Sequence, residues 1–286
     1  MSLEITLLVL FAALLHASWN YLAKTIPSGA PFVWLVAVVM LILWLPVAAG
    51  YVALYGFDWS LTNIGALLAS AVLHLVYFLI LQIGYQKAEL SLVYPLARGS
   101  GPVFATLGAA VFLGEVVSGQ AVVGLCLVAA GVFLVAGLTP GGQRHPDWKT
   151  GLSYGLLIGA LIASYTVWDG FAVRELAVAP ILLEYSTNPV RVLALSPVVW
   201  KKWPEVRALW AGHRWKILVI SIIAPFGFIL ILYALRVAPV HLVAPTREIS
   251  IVLGVIFGAK LLTEQNFRSR LAGALLIVAG IVFLSR

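Results

Sequence analysis

Charge is the scarcest ingredient of this chain. Asp, Glu, Lys and Arg make up 10% of its 286 residues, where a soluble domain holds about a quarter. No polar stretch is long enough to form a separate soluble domain. A single cysteine, Cys126, excludes an internal disulfide. No Gly-rich phosphate loop with its lysine is present, so ATP hydrolysis on such a loop is excluded. No His/Cys cluster has zinc spacing, and no Ser–His–Asp order stands out. Neither a catalytic residue nor a metal or cofactor is expected.

What remains is apolar: 62% hydrophobic residues and a mean hydropathy of +1.05. Runs of about 20 apolar residues recur from end to end, each long enough to cross a ~30 Å hydrocarbon core. The spans fall near 3–23, 32–55, 63–86, 91–113, 118–138, 151–173, 180–200, 215–236, 240–262 and 267–285. Residues 3–23 lack a basic leader and a small-residue cleavage site, so they read as a retained helix. Most connections are short; Thr139–Thr150 and Lys201–Arg214 read as the two longer loops. The expectation is an all-α integral membrane protein of ten helices in a lipid bilayer.

The stretch Leu92-Val93-Tyr94-Pro95-Leu96-Ala97-Arg98-Gly99-Ser100 organises this pattern. It has a partner 150 residues on, Leu242-Val243-Ala244-Pro245-Thr246-Arg247-Glu248-Ile249-Ser250, with Leu, Val, Pro and Ser matched in place. Further matches stand at an offset of 149: Gly124 with Gly273, Glu115 with Glu264, Ala130-Gly131 with Ala279-Gly280. The chain therefore divides into a repeat over 1–138, a connecting loop over 139–150 and a second repeat over 151–286. Five helices per repeat is an odd number, so the second copy enters the membrane upside down. Two inverted repeats with proline-broken, charged segments are the plan of secondary transporters.

Charge in the loops gives orientation. The odd-numbered loops carry twelve Lys and Arg residues and the termini side three. That bias puts the odd loops in the cytoplasm and both termini outside. The net charge of +7 thus reads as topology, and nucleic acid is not an expected partner.

Inside the spans stand three cations, Arg98, Arg191 and Arg247, and three anions, Asp169, Glu184 and Glu248. Each costs about 2.5–3.5 kcal/mol at mid-helix on insertion scales, so exposure to lipid is disfavoured. They either form ion pairs between packed helices or line a cavity. Glu184, near a helix end, could instead be interfacial. His16, Trp19 and Asn20 share one helix face at i, i+3, i+4, as do their counterparts Tyr165, Trp168 and Asp169. His74 and Tyr77 form a shorter stripe. These groups suit opposite walls of one cavity, or else helix packing. Glu115 and Glu264 are expected to cap the helices that follow them. The pairs Gly124/Gly131 and Gly273/Gly280 permit close helix contact.

Several motifs together resemble a known family: His16-Ala17-Ser18-Trp19-Asn20, Leu92 to Arg98, and Arg247-Glu248-Ile249-Ser250. They are similar to the drug/metabolite transporter superfamily in its EamA branch, and to a bacterial subgroup of it. The resemblance covers nearly the whole chain. It implies transport of a small metabolite across the inner membrane, usually outward and without ATP. Some similar proteins are named for phosphonate utilisation; other relatives export amino acids or carry sugar nucleotides. The family is generally described with cytoplasmic termini, which the loop charges here oppose.

The resulting expectation is a monomeric carrier with a midplane cavity. Arg98 and Arg247 would hold a carboxylate or phosphonate, and Glu248 or Asp169 an amine. His16, Trp19, Asn20, His74, Tyr77, Tyr94, Tyr165, Trp168 and Arg191 would complete the walls. Asp169 or Glu248 would carry a coupling proton, H+. The rivals are a flippase for a lipid-linked phosphate, a multidrug exporter, and a membrane hydrolase using His16, His74 and Asp169. Three intramembrane arginines oppose lipophilic cations, and repeat symmetry opposes an active site.

Overall fold

A computed structural model describes residues 1–27, 29–88, 90–135, 148–251 and 267–284. Among these the chain forms ten helices: α1 (Leu3–Lys24), α2 (Ala30–Tyr55), α3 (Leu61–Lys87), α4 (Leu90–Phe112), α5 (Gly119–Val135), α6 (Trp148–Arg174), α7 (Pro180–Trp200), α8 (Trp203–Val237), α9 (Val240–Arg247) and α10 (Phe267–Leu284). Five of them, α1, α2, α3, α6 and α8, meet the length and hydropathy of a membrane span within the described residues. The connecting loop over 139–150 lies almost wholly outside the described residues, as does the stretch 252–266 with Glu264.

Helix boundaries follow local chemistry. Ser2 caps α1 by accepting from the Ile5 amide, and Ser60 caps α3 by accepting from Asn63. Gly56 ends α2 at φ +73°, a conformation that costs glycine little because it has no Cβ. Pro180 opens α7 at its first turn, where its missing N–H has no partner to lose.

Helix pairing follows a pseudo-two-fold axis. α5 packs on α10, α4 on α9 and α2 on α7, each helix against its own repeat counterpart. The partnership of α1 with α8 is mirrored by that of α6 with α3. The α5–α10 seam depends on glycine. A Cβ on Gly131 would lie 2.6 Å from the Gly273 carbonyl oxygen, and one on Gly280 would lie 2.6 Å from that of Gly124. The two contacts are reciprocal, and only Gly permits such backbone approach.

Two expectations are corrected here. Lys201–Arg214 is not a loop: helix α8 begins at Trp203 and runs for 35 residues. Pro204 in its first turn and Glu205 beside it favour a helix start. Val206, Leu209, Ile217 and Ile220 are all buried, a helical repeat that the surrounding charges hide. The second correction concerns the prolines. Both Pro95 and Pro245 are the sixth residue of their helix, yet α4 continues unbroken to Phe112. Only α9 stops, at Arg247, with Glu248 as a turn whose amide donates to the Pro245 carbonyl at 3.0 Å. Helical backbone resumes at 249–251.

Candidate functional site

The charged positions of α4 and α9 meet at the pseudo-two-fold axis. Arg98 Nη1 lies 3.4 Å from Glu248 Oε1, and the two residues are 150 apart, which is the repeat offset. The ion pair is therefore built from equivalent positions carrying opposite charge. Arg98 Nη2 also donates to His16 Nε2 at 2.7 Å, which leaves that imidazole proton on Nδ1. Arg247 brings a second cation, its Nε 3.9 Å from Glu248 Oε1. All three charged residues are buried.

This cluster is not satisfied from within. Glu248 Oε2 and Arg247 Nε are buried and have no hydrogen-bond partner among the described residues. A buried polar atom left unpaired costs about 1–3 kcal/mol, more when charged. One open acceptor and one open donor thus stand side by side where α9 breaks. Among the described residues, two guanidiniums here face one carboxylate.

A second cluster joins α3 and α6. Asp169, fully buried, accepts from Ser70 Oγ at 2.6 Å, and its Oδ2 lies 2.8 Å from His74 Nε2. The His74 ring stacks on Tyr165 at 4.2 Å between centroids, and Phe228 meets it edge-on. Tyr77 meets Tyr165 at 5.3 Å. Tyr77 is also within electrostatic reach of both Arg98 and Arg247. Glu184 on α7 is buried and within reach of Arg191 and Asp169.

Of the residues proposed from sequence, His16, Arg98, Arg247 and Glu248 form one group. His74, Tyr77, Tyr165 and Asp169 form the neighbouring one. The others sit apart. Asn20 turns back to donate to the His16 carbonyl at 2.7 Å. Trp168 donates to the Ala66 carbonyl and packs in the core with α3. Trp19 packs among apolar side chains of α2 and α8, its ring edge-on to His16. Arg191 donates to Asn188 on its own helix. The side chain of Tyr94 lies outside the described residues. Ser70, Thr187 and Asn188 are buried polar groups that the sequence reading missed. For Ser70 a signal exists: it precedes His74 by four residues on one face of α3.

Glu115 caps a helix, but not the one expected. It accepts from the amides of Val240 and His241, at 2.7 and 3.1 Å, so it caps α9 of the opposite repeat. His241 Nδ1 and Arg174 Nη1 complete its shell at 2.7 and 3.2 Å. Arg174 in turn donates to the carbonyls of Leu235 and Ala238. The ends of α6, α8 and α9 are thereby tied to the turn after α4. Burial raises the Glu115 pKa, but the donors from His241 and Val240 outweigh it and hold the carboxyl at about 2.

Among the described residues no three His, Cys, Asp or Glu side chains are grouped to hold a metal ion. Long apolar helices paired by inverted symmetry around buried charge make up a multi-pass membrane protein. The chain belongs to the EamA-like transporter family, whose pattern it matches over residues 4–137 and again over 149–286. That match carries membrane embedding and a small-molecule substrate with it. No curated protein matches the sequence. A crystal structure of a protein superposes on 99% of this chain and 98% of its own, with a TM-score of 0.72 at 15% identity. That likeness concerns the fold alone.

Proposed function

We propose that the chain is a secondary-active carrier of a small zwitterion or anion, such as an amino acid or an aminophosphonate, working by alternating access. The observation that carries this reading is the Arg98–Glu248–Arg247 cluster with its open donor and acceptor. An acidic group on the substrate would bridge Arg247 and Arg98. Its amine would reach Glu248 Oε2 and satisfy a buried carboxylate oxygen. Tyr77, Tyr165 and His16 form the walls nearest these charges. The coupling proton is assigned to the Asp169–His74 pair, which lies beside the cluster on separate helices. Export as direction follows the family resemblance, and the His16–Asn20 motif favours the bacterial subgroup named for it. The protein works as a monomer in the inner membrane, with both termini on the periplasmic side, the orientation that the loop charges favour.

Counterflow in proteoliposomes tests the reading. Replacing Arg98 or Arg247 by Gln reduces transport to background while the protein stays monodisperse; retained transport overturns the proposal. A second reading has one observation in its favour. A groove of about 520 Å³ between α3, α4 and α6, lined by Leu73, Phe104, Val167, Trp168 and Phe171, could take the chain of a lipid-linked phosphate. Transport of a water-soluble zwitterion would exclude that reading.

A further inference from the structure

The start of α8 provides a surface that the transport reading leaves unused. A helix of 35 residues is about 52 Å long at 1.5 Å per residue, well beyond a ~30 Å hydrocarbon core. Its neighbours show where the excess goes. Glu205, Leu209 and His213 share a groove with Pro27, Pro31 and Phe32, and Lys216 Nζ donates to Thr25 Oγ1 at 2.8 Å. Residues 25–32 join the end of α1 to the start of α2, so they mark one membrane boundary. Trp200, the last residue of α7, is at the other end of the same short turn. The first three turns of α8 therefore run at the level of that boundary.

This segment has two distinct faces. Val206 and Leu209 are buried in a cluster with Ile26, Leu35 and Val199, which fixes the helix in place. A flanking face, about a quarter turn from the buried one, carries Trp203, Arg207, Trp210 and Arg214 at i, i+4, i+7 and i+11, all exposed, with the Trp203 ring edge-on to Trp34 of α2. Lys202 is paired with Glu205 at 3.3 Å, whereas neither Arg207 nor Arg214 has a carboxylate partner among the described residues. Trp215 heads a further exposed row with Val219, Ile222 and Phe226, which is apolar enough to face acyl chains.

We propose that the Trp203–Arg207–Trp210–Arg214 stripe is a docking surface for the headgroups of anionic phospholipids. Tryptophan is favoured at the headgroup level, where its ring is half apolar and its N–H is wet. Arginine there attracts lipid phosphate. A topology signal alone would need only positive charge in this segment. It would not need the charges ordered on one face of a packed helix and alternating with tryptophan.

The test uses the full-length protein reconstituted in mixed phosphatidylcholine and phosphatidylglycerol vesicles and then repurified, with retained lipid counted by mass spectrometry. The wild type should retain phosphatidylglycerol in preference. R207Q/R214Q should lose most of that preference, roughly fivefold per arginine, while R207K/R214K keeps the larger part of it. Equal retention of both lipids by the wild type overturns the proposal, and so does an unchanged preference in R207Q/R214Q. Capture of an acidic soluble protein without any lipid preference would also count against it.

Discussion

Helices α4 and α9 descend from one sequence element and now differ in every respect that matters to the site. α4 is continuous and lies along α6; α9 stops at Arg247 and turns at Glu248. The proline is at the same place in both, so proline alone does not make the break. The neighbour does. Gly155 and Gly159 of α6 leave room for Leu96 and Ser100 of α4, and Gly101 of α4 leaves room for Ile162 of α6. The equivalent positions on α1 and α9 are Thr6, Leu10 and Ile251, which deny that approach. Duplication supplied two copies of one helix, and we attribute the continuity of α4 to its glycine-lined seam with α6. α9 is the copy whose backbone turns at Glu248, directly after Arg247.

Gly155→Leu should break the tighter seam most severely, because no rotamer avoids Leu96. The cost is about 1–3 kcal/mol or more for an overpacked core, read as a fall in unfolding temperature in detergent. Asp169→Asn removes the carboxylate that unites Ser70 and His74, a contact without a counterpart on α1 and α8, where Ile220 and Ala224 occupy the equivalent sites. A loss of about 1–2 kcal/mol is expected for a buried charge-assisted pair, read as a fall in unfolding temperature in detergent. Glu115→Gln weakens the cap of α9, at about 1 kcal/mol. The wild-type contribution has a defined pH window. The folded pKa is about 2 against an ordinary 4.5, so the stabilisation is whole above pH 4.5 and is lost as pH falls toward 2. The variant should lack that acid-limb slope in a thermal series. Thr6→Leu, the mirror of the first change, should shift stability by less than about 0.5 kcal/mol. Equal effects of Gly155→Leu and Thr6→Leu would end the argument from glycines.

The fold was largely written in periodicity. Apolar runs located the helices, the 149- and 150-residue offsets gave the repeats, and the pairs Gly124/Gly131 and Gly273/Gly280 marked faces fit for close contact without saying which helices would meet. The site was legible in part. Charge inside a span is rare enough that Arg98, Arg247, Glu248 and Asp169 could be singled out without coordinates. Their partners could not, because a pairing such as Arg98 with Glu248 is fixed by which helices cross and at what depth. Ser70 escaped notice because one serine in an apolar helix is common, and only the opposed carboxylate gives it meaning. Glu115 was recognisable as a cap, but the helix it caps belongs to the other repeat. The beginning of α8 was misread because five basic or histidine side chains from Lys201 to Arg214 obscure an apolar face of only a few residues.

The most direct test of the central claim is thermal unfolding of the purified protein against zwitterions, anions and lipophilic cations. A ligand that binds only the folded state at 100 times its dissociation constant adds about 2.7 kcal/mol. Amino acids or aminophosphonates should raise the unfolding temperature of the wild type and leave that of R98Q and R247Q unmoved. Stabilisation by lipophilic cations alone, or by zwitterions equally in all three proteins, would contradict a binding site built on these arginines.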